Sequence, residues 1–153
     1  MDTVGARLTA DLIGAQFRAV HQNFREEIAL LDRDAVNWKP HPQANSIAVL
    51  VTHTLGSEKE MLRAVRGQGS DRVRSSEFEV SVDAEALVAL IDLADLDLDE
   101  QIAKITAEDL TASRPRGDRP PRPGLEWLVT NYGHAREHLA QAQLTKQLYS
   151  ATK

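Results

Sequence analysis

Cysteine is absent from this chain of 153 residues, which excludes disulfides, cysteine-bearing zinc sites and any cysteine nucleophile. Thiol chemistry would need a thiol from another molecule, and a bound metal would need His, Asp or Glu as ligands. Long apolar runs are also missing. The longest are stretches such as Ile47 to Val51, against the ~18 residues that a membrane span requires, so no membrane partner is expected. Positive charge is in deficit, with 18 Lys and Arg against 23 Asp and Glu for a net charge of -5. A nonspecific nucleic-acid binder needs a basic surface, so no nucleic-acid partner is expected. The N-terminal residues include Asp2 and lack a basic segment followed by an apolar one. No signal peptide is read there, and a cytoplasmic location is the expectation. No stretch of strict apolar/polar alternation is long enough to argue for a sheet.

What is present is apolar periodicity. With 42% apolar residues, residues 1–153 can bury a core as one domain. The first helix is predicted over roughly Thr3 to Leu31, where Ile13, Phe17, Val20, Phe24, Ile28 and Leu31 recur at spacings of three and four. It stops before the prolines at Pro40 and Pro42. A second helix begins after Asn45 or Ser46, either of which can cap it, with Ile47, Leu50, Val51, Thr54, Met61, Leu62 and Val65 as its stripe. It ends at Gly67, and in the connection that follows Phe78 and Val80 are read as a brief extended piece. The third helix, from about Asp83 to Thr106, carries Leu87, Val88, Ile91, Ala94, Leu98, Ile102 and Ile105 on one side. Asp92, Asp95, Asp97, Asp99 and Glu100 on the other are read as a solvated acidic face. Arg114 to Gly124 holds four of the six prolines and reads as a linker, since no helix tolerates that density. The fourth helix runs from Leu125 to Tyr149 with a stripe of Leu125, Leu128, Val129, Tyr132 and Leu139. Four amphipathic helices of this length imply an all-α four-helix bundle.

Three of the five histidines stand where a metal would need them. His134 and His138 are four positions apart, so both rings leave one face of the fourth helix about a turn apart. His53, in the second helix, can supply a third nitrogen. On a helical wheel the pair points away from the Leu128 and Leu139 stripe and shares its face with Trp127, Asn131 and Thr145. His53 lies beside Val49, Ser57 and Glu60. Two readings follow: three surface histidines, or a second, polar face closing a pocket between the two helices. Trp127 on that face favours the pocket, because a large exposed tryptophan would be an odd choice.

The sequence also resembles a known family. Trp38-Lys39-Pro40, Asn45 through His53 followed by Ser57-Glu58, and Leu125-Glu126-Trp127-Leu128 leading to His134-Ala135-Arg136-Glu137-His138-Leu139-Ala140-Gln141 are similar in order and spacing to the DinB/YfiT-like superfamily. The resemblance extends over almost the whole chain. It implies an up-down-down-up bundle, usually a homodimer, in which His53, His134 and His138 hold one divalent metal. It also implies a metalloenzyme, with thiol-dependent transferases using bacillithiol, mycothiol or glutathione among the members. Many relatives carry another histidine three residues before His134, where this chain has Asn131.

Three neutral imidazoles leave a metal with an open position, the arrangement of a catalytic site. Zinc is the default ion, and nickel or iron also accept imidazole. Such an ion ionises a coordinated thiol or water, so a transferase using a small thiol cosubstrate and a hydrolase both fit. A noncatalytic stress-response or binding protein, and a plain helical dimerisation module, are the readings without turnover. Of the nearby carboxylates, Glu60 returns to the His53 face two turns on and is the candidate base, whereas Glu137 projects about 100° from His138. Ser57 and Asn131, each about a turn from a histidine, are candidates for a second shell or pocket wall. His21 sits at the edge of its stripe and is read as a partly buried, hydrogen-bonded residue that can also line the pocket; His41, between two prolines, is read as exposed. The arginines of the proline-rich linker suit a carboxylate-bearing thiol, with a solvated loop as the plainer reading.

Overall fold

A computed structural model describes residues 1–153. Six α-helices form: α1 (Thr3–Ile28), α2 (Arg33–Asn37), α3 (Ile47–Val65), α4 (Ala84–Lys104), α5 (Ala107–Thr111) and α6 (Gly124–Ser150). Side-chain oxygens set several starts by accepting orphan backbone N–H groups. Asp2, Ser46 and Asp83 cap α1, α3 and α4, and a reciprocal pair between Thr106 and Asp109 caps α5. At the end of α3 the chain turns through Gly67 at φ +69°, a conformation open to glycine at little cost.

The four long helices pack in the ring α1, α4, α3, α6, each against its two neighbours. Their relative directions follow from the residue pairs that meet. Arg18, His21 and Arg25 of α1 reach Asp99, Asp95 and Asp92 of α4 in reverse order, so these helices run antiparallel. Gln16 meets Tyr132 and Glu27 meets Gln143, so α1 and α6 run side by side in one direction. The pairs Arg63 with Asp97 and Arg66 with Gln101 show the same for α3 and α4, while α3 and α6 are antiparallel. Phe17, Phe24, Ile28, Leu50, Met61, Leu98 and Leu128 fill the centre. No helix is long and apolar enough to cross a membrane.

Several local expectations are corrected. The first helix stops at Ile28, short of Leu31, because Leu30 takes φ +65°. Phe78 lies in a 3-10 helix, Arg74–Glu79, and makes no extended piece. The proline-rich segment is a two-stranded antiparallel hairpin, β1 (Ser113–Arg116) and β2 (Arg119–Pro123), rather than an unstructured linker. Its two-residue turn, Gly117-Asp118, has Gly117 at φ +56°, as tight hairpin turns require at their first central position. The acidic face of α4 is not simply solvated: Asp92, Asp95, Asp97 and Asp99 bind Arg25, His21, Arg63 and Arg18 of the flanking helices. Val129, assigned to the apolar stripe, is exposed. The buried face of α6 is turned instead toward Trp127, Leu128, Asn131, Ala135, Leu139 and Ala142.

Candidate functional site

Helix α3 has nearly its whole circumference covered, since α4, α6, the 3-10 helix, α2 and β1 all pack on it. Its polar residues are therefore interior: His53, Ser57 and Glu58 are buried beside the apolar stripe. Opposite them α6 brings His134 and His138. The nearest ligand atoms of the three histidines lie within 4.8 Å of one another, and the Nε2 atoms of His134 and His138 are 2.9 Å apart. Ring nitrogens this close are bridged either by the N–H of one neutral imidazole donating to the lone pair of the other or by a metal ion.

The other ring nitrogens define how this cluster is held. Glu77 Oε2 stands 2.8 Å from His53 Nδ1 and accepts its proton, which leaves Nε2 as the lone-pair nitrogen. Arg72 Nη2 is 3.3 Å from the same Nδ1, but the shorter bond to a carboxylate decides where the proton sits. His138 Nδ1 is 2.8 Å from Gln141 Oε1. His134 Nδ1 is buried and has no partner. Phe78 lies against the His53 ring, with centroids 5.0 Å apart, and closes one side.

Electrostatics favour the neutral form of two of the rings, His134 and His53. Burial, followed by the charges of His138, His53, Arg116 and Arg72, pushes the His134 pKa down to about 4. His53 is also lowered, first by burial and then by His138 and Arg72, against the opposing pull of Glu77. A metal needs deprotonated ligands, and the lowered pKa values of His134 and His53 favour that form. The donor set, the convergent Nε2 atoms and the carboxylate behind His53 fit a divalent ion held by three nitrogens.

The remaining candidates fall into two groups. Ser57, Trp127 and Asn131 lie together beside the histidines and are buried. Ser57 Oγ accepts from Arg116 Nη2 at 2.7 Å and Asn131 Nδ2 at 2.9 Å, while Trp127 Nε1 donates to the Arg114 carbonyl at 2.8 Å. Glu60 is engaged elsewhere, accepting from Arg116 Nε at 2.8 Å and Arg72 Nη1 at 3.2 Å. Burial alone would raise its pKa, but the two guanidiniums outweigh burial and hold it below the usual carboxylate range. That makes it a poor proton acceptor and a good anchor for arginine. His21 is fully buried on the other side of α3, between Glu58 Oε2 at 2.9 Å and Asp95 Oδ1 at 2.7 Å, and does not line this pocket. His41 is exposed.

Sequence reasoning missed Glu77, Arg72 and the interior position of Arg116. Arg72 bonds Glu77 through Nε at 2.7 Å and Nη2 at 2.9 Å, tying the 3-10 segment to the site. Gly56 explains part of the fit: a Cβ there would stand 2.2 Å from Glu77 Oε1. A glycine in mid-helix costs about 1 kcal/mol relative to alanine, and here it makes room for the carboxylate that orients His53.

The chain belongs to the DinB superfamily, whose sequence pattern matches residues 16–142. Among solved structures it is similar to a conserved protein from Enterococcus faecalis, at 18% identity and a TM-score of 0.73, covering 90% of this chain and 95% of that one. It is also similar to a DinB-like protein from Bacillus cereus ATCC 10987, at 15% identity and a TM-score of 0.71, covering 86% of each. At these identities the likeness shows the fold. No curated protein matches the sequence.

Proposed function

We propose that His53, His134 and His138 hold a divalent metal ion, zinc by default with nickel or iron as alternatives, and that the protein is a transferase acting through a low-molecular-weight thiol. The observation that carries this reading is the convergence of three imidazoles from two helices, one of them oriented by the buried Glu77 carboxylate. A metal with three protein ligands keeps a position open and there favours the ionised form of a thiol or water. The chain has no cysteine, so the thiol belongs to a small-molecule cosubstrate of the bacillithiol, mycothiol or glutathione kind.

The state of Glu60 favours the transferase over a hydrolase. A hydrolase gains from a general base beside the activated water, and Glu60 is committed to Arg116 and Arg72 with a lowered pKa. Thiol ionisation at a metal requires no such base. The same observation favours, as the second reading, a noncatalytic metal-binding protein.

The test is turnover. Metal-loaded protein is offered each of the three thiols with a panel of electrophiles, in parallel with a variant in which all three histidines are alanine. Thiol consumption by the parent alone supports the transferase. Metal loading without turnover of any thiol supports the binding protein, and failure to load metal rejects both. A homodimer is part of the proposal: Val4, Leu8 and Leu12 form an exposed apolar stripe on α1, and sedimentation should give twice the chain mass in the parent and the monomer mass in Leu8→Asp.

A further inference from the structure

Beside the histidine cluster lies a cavity of about 290 Å³ lined by Arg72, Arg74, Arg116, Arg119 and Arg122 together with Trp127 and Asn131. Its volume is at the lower end of the ~300–1,000 Å³ typical of small-molecule sites. Five guanidiniums converge there from two separate segments. The carboxylates that bind them are Glu60, Glu77 and Glu126, so two positive charges are left over in a chain whose net charge is -5. Crowding like charges is unfavourable unless something offsets it.

Two of these arginines, Arg72 and Arg116, have buried side chains, and Arg74, Arg119 and Arg122 reach the cavity from exposed positions. Arg116 is 4% exposed; its Nε binds Glu60 at 2.8 Å and its Nη2 binds the Ser57 carbonyl and hydroxyl oxygens, both at 2.7 Å. Its Nη1 has no bond within the chain. A register irregularity between Arg114 and Arg116 re-aims the strand at this point, and the prolines at Pro115, Pro120 and Pro121 stiffen the hairpin that carries Arg116 and Arg119. Arg119 stands 3.8 Å from Glu60, beyond hydrogen-bond reach. Arg74 has no carboxylate partner and stacks on Phe78 at 5.0 Å. Arg122 lies 5.2 Å from the Trp127 ring centroid and binds Glu126 at 2.9 Å. Of two buried polar atoms without partners on residues that line this cavity, His134 Nδ1 can donate to an anion, whereas Asn131 Oδ1 is an acceptor and needs a donor.

We propose that this cavity binds the carboxylate or phosphate group of a small anionic molecule, clamped by Arg74, Arg119 and the free Nη1 of Arg116. Guanidinium forks match both oxyanions, and charge-assisted bonds of this kind are the strong ones. Arg72 and the Glu60 pairing hold the clamp in place, and Trp127 gives it one apolar wall. As a statement about substrate this deepens the function proposed above and rests on it: the reacting end of the molecule would face His53 and His134 while its anionic group sits among the arginines. The binding itself requires no metal.

The test follows the Trp127 indole N–H by heteronuclear NMR while metal-free full-length protein is titrated at low salt with malonate, inorganic phosphate or neutral malonamide. At least one anion should shift the signal saturably at millimolar or lower concentration, and malonamide should not. Tighter malonate binding assigns a carboxylate ligand, and tighter phosphate binding a phosphoryl ligand. Arg74→Ala combined with Arg119→Ala, both surface changes that leave the core intact, should weaken the anion at least tenfold. The variant with His53, His134 and His138 changed to alanine should still bind it, which separates this inference from the metal reading. No saturable shift with either anion, equal shifts with malonamide, or unchanged affinity in the double arginine variant would overturn it.

Discussion

Glu77 is the residue whose loss separates the structural and chemical parts of this account. Its carboxylate makes three bonds, one to His53 Nδ1 and two to Arg72, and both acidic and basic side chains are more than nine-tenths buried. Removing one partner of a buried pair costs about 3–5 kcal/mol, because the other charge is left uncompensated. Arg72 keeps Glu60 at 3.2 Å, so about 2–3 kcal/mol is the expected loss in Glu77→Ala. For a domain of this size each kcal/mol shifts Tm by about 2–4 °C, which gives a drop of about 4–12 °C by calorimetry. Metal affinity should fall about 10–100-fold, the usual effect of losing a group that orients a metal-bound histidine. Glu77→Gln divides the two effects, since its amide oxygen can still accept from His53 Nδ1 but cannot neutralise Arg72. It should lose stability and keep most of the metal affinity. If Glu77→Ala changes stability by less than about 0.5 kcal/mol, the typical size of neutral surface effects, and leaves metal affinity unaltered, the role assigned to this carboxylate is wrong.

Three further outcomes follow from other positions. Gly56→Ala gains about 1 kcal/mol of helix propensity but displaces the Glu77 carboxylate, so metal affinity measured by competition with a chelator should fall while thermal stability stays near that of the parent. Gly124→Ala meets backbone, because its Cβ would stand 2.0 Å from the Asp109 carbonyl oxygen; denaturant unfolding should show a loss of about 1–3 kcal/mol or more, the cost of forcing an overpacked site. His21 has its pKa held above the ordinary value: burial pushes it down, but the bonds and charges of Glu58 and Asp95 outweigh burial. A raised folded pKa stabilises fully below the unfolded value of about 6.5 and is lost as pH rises through the folded one. The stability of the parent should therefore fall above pH 6.5, by at most about 1.4 kcal/mol per pH unit, and urea titrations of His21→Gln should lack that component of the slope.

The helices were legible because their apolar residues recur at three and four, a pattern that survives any detail of packing. The polar pocket between α3 and α6 was legible in outline from the wheel positions of His53, His134 and Trp127, and the family resemblance selected the same histidines. What stayed hidden depends on partners far apart in sequence. Arg116 reads as a loop arginine among prolines, and its burial depends on Glu60 and Ser57, 56 and 59 positions away. Glu77 sits in a connection without periodicity, so nothing local marks it as the group behind His53. The aspartates of α4 look solvated until Arg18, Arg25 and Arg63 arrive from other helices. The hairpin escaped because its prolines mimic a breaker, whereas an exposed two-stranded ribbon tolerates prolines that a central strand would not.

The most direct test of the account is metal content. Mass spectrometry of tag-free protein loaded with zinc, nickel or iron(II) and freed of unbound ion should find close to one equivalent of a single metal in the parent. The variant with His53, His134 and His138 changed to alanine should hold essentially none, with its helical circular dichroism retained. Equal metal in both proteins, or none in the parent under any loading condition, would contradict the three-histidine centre.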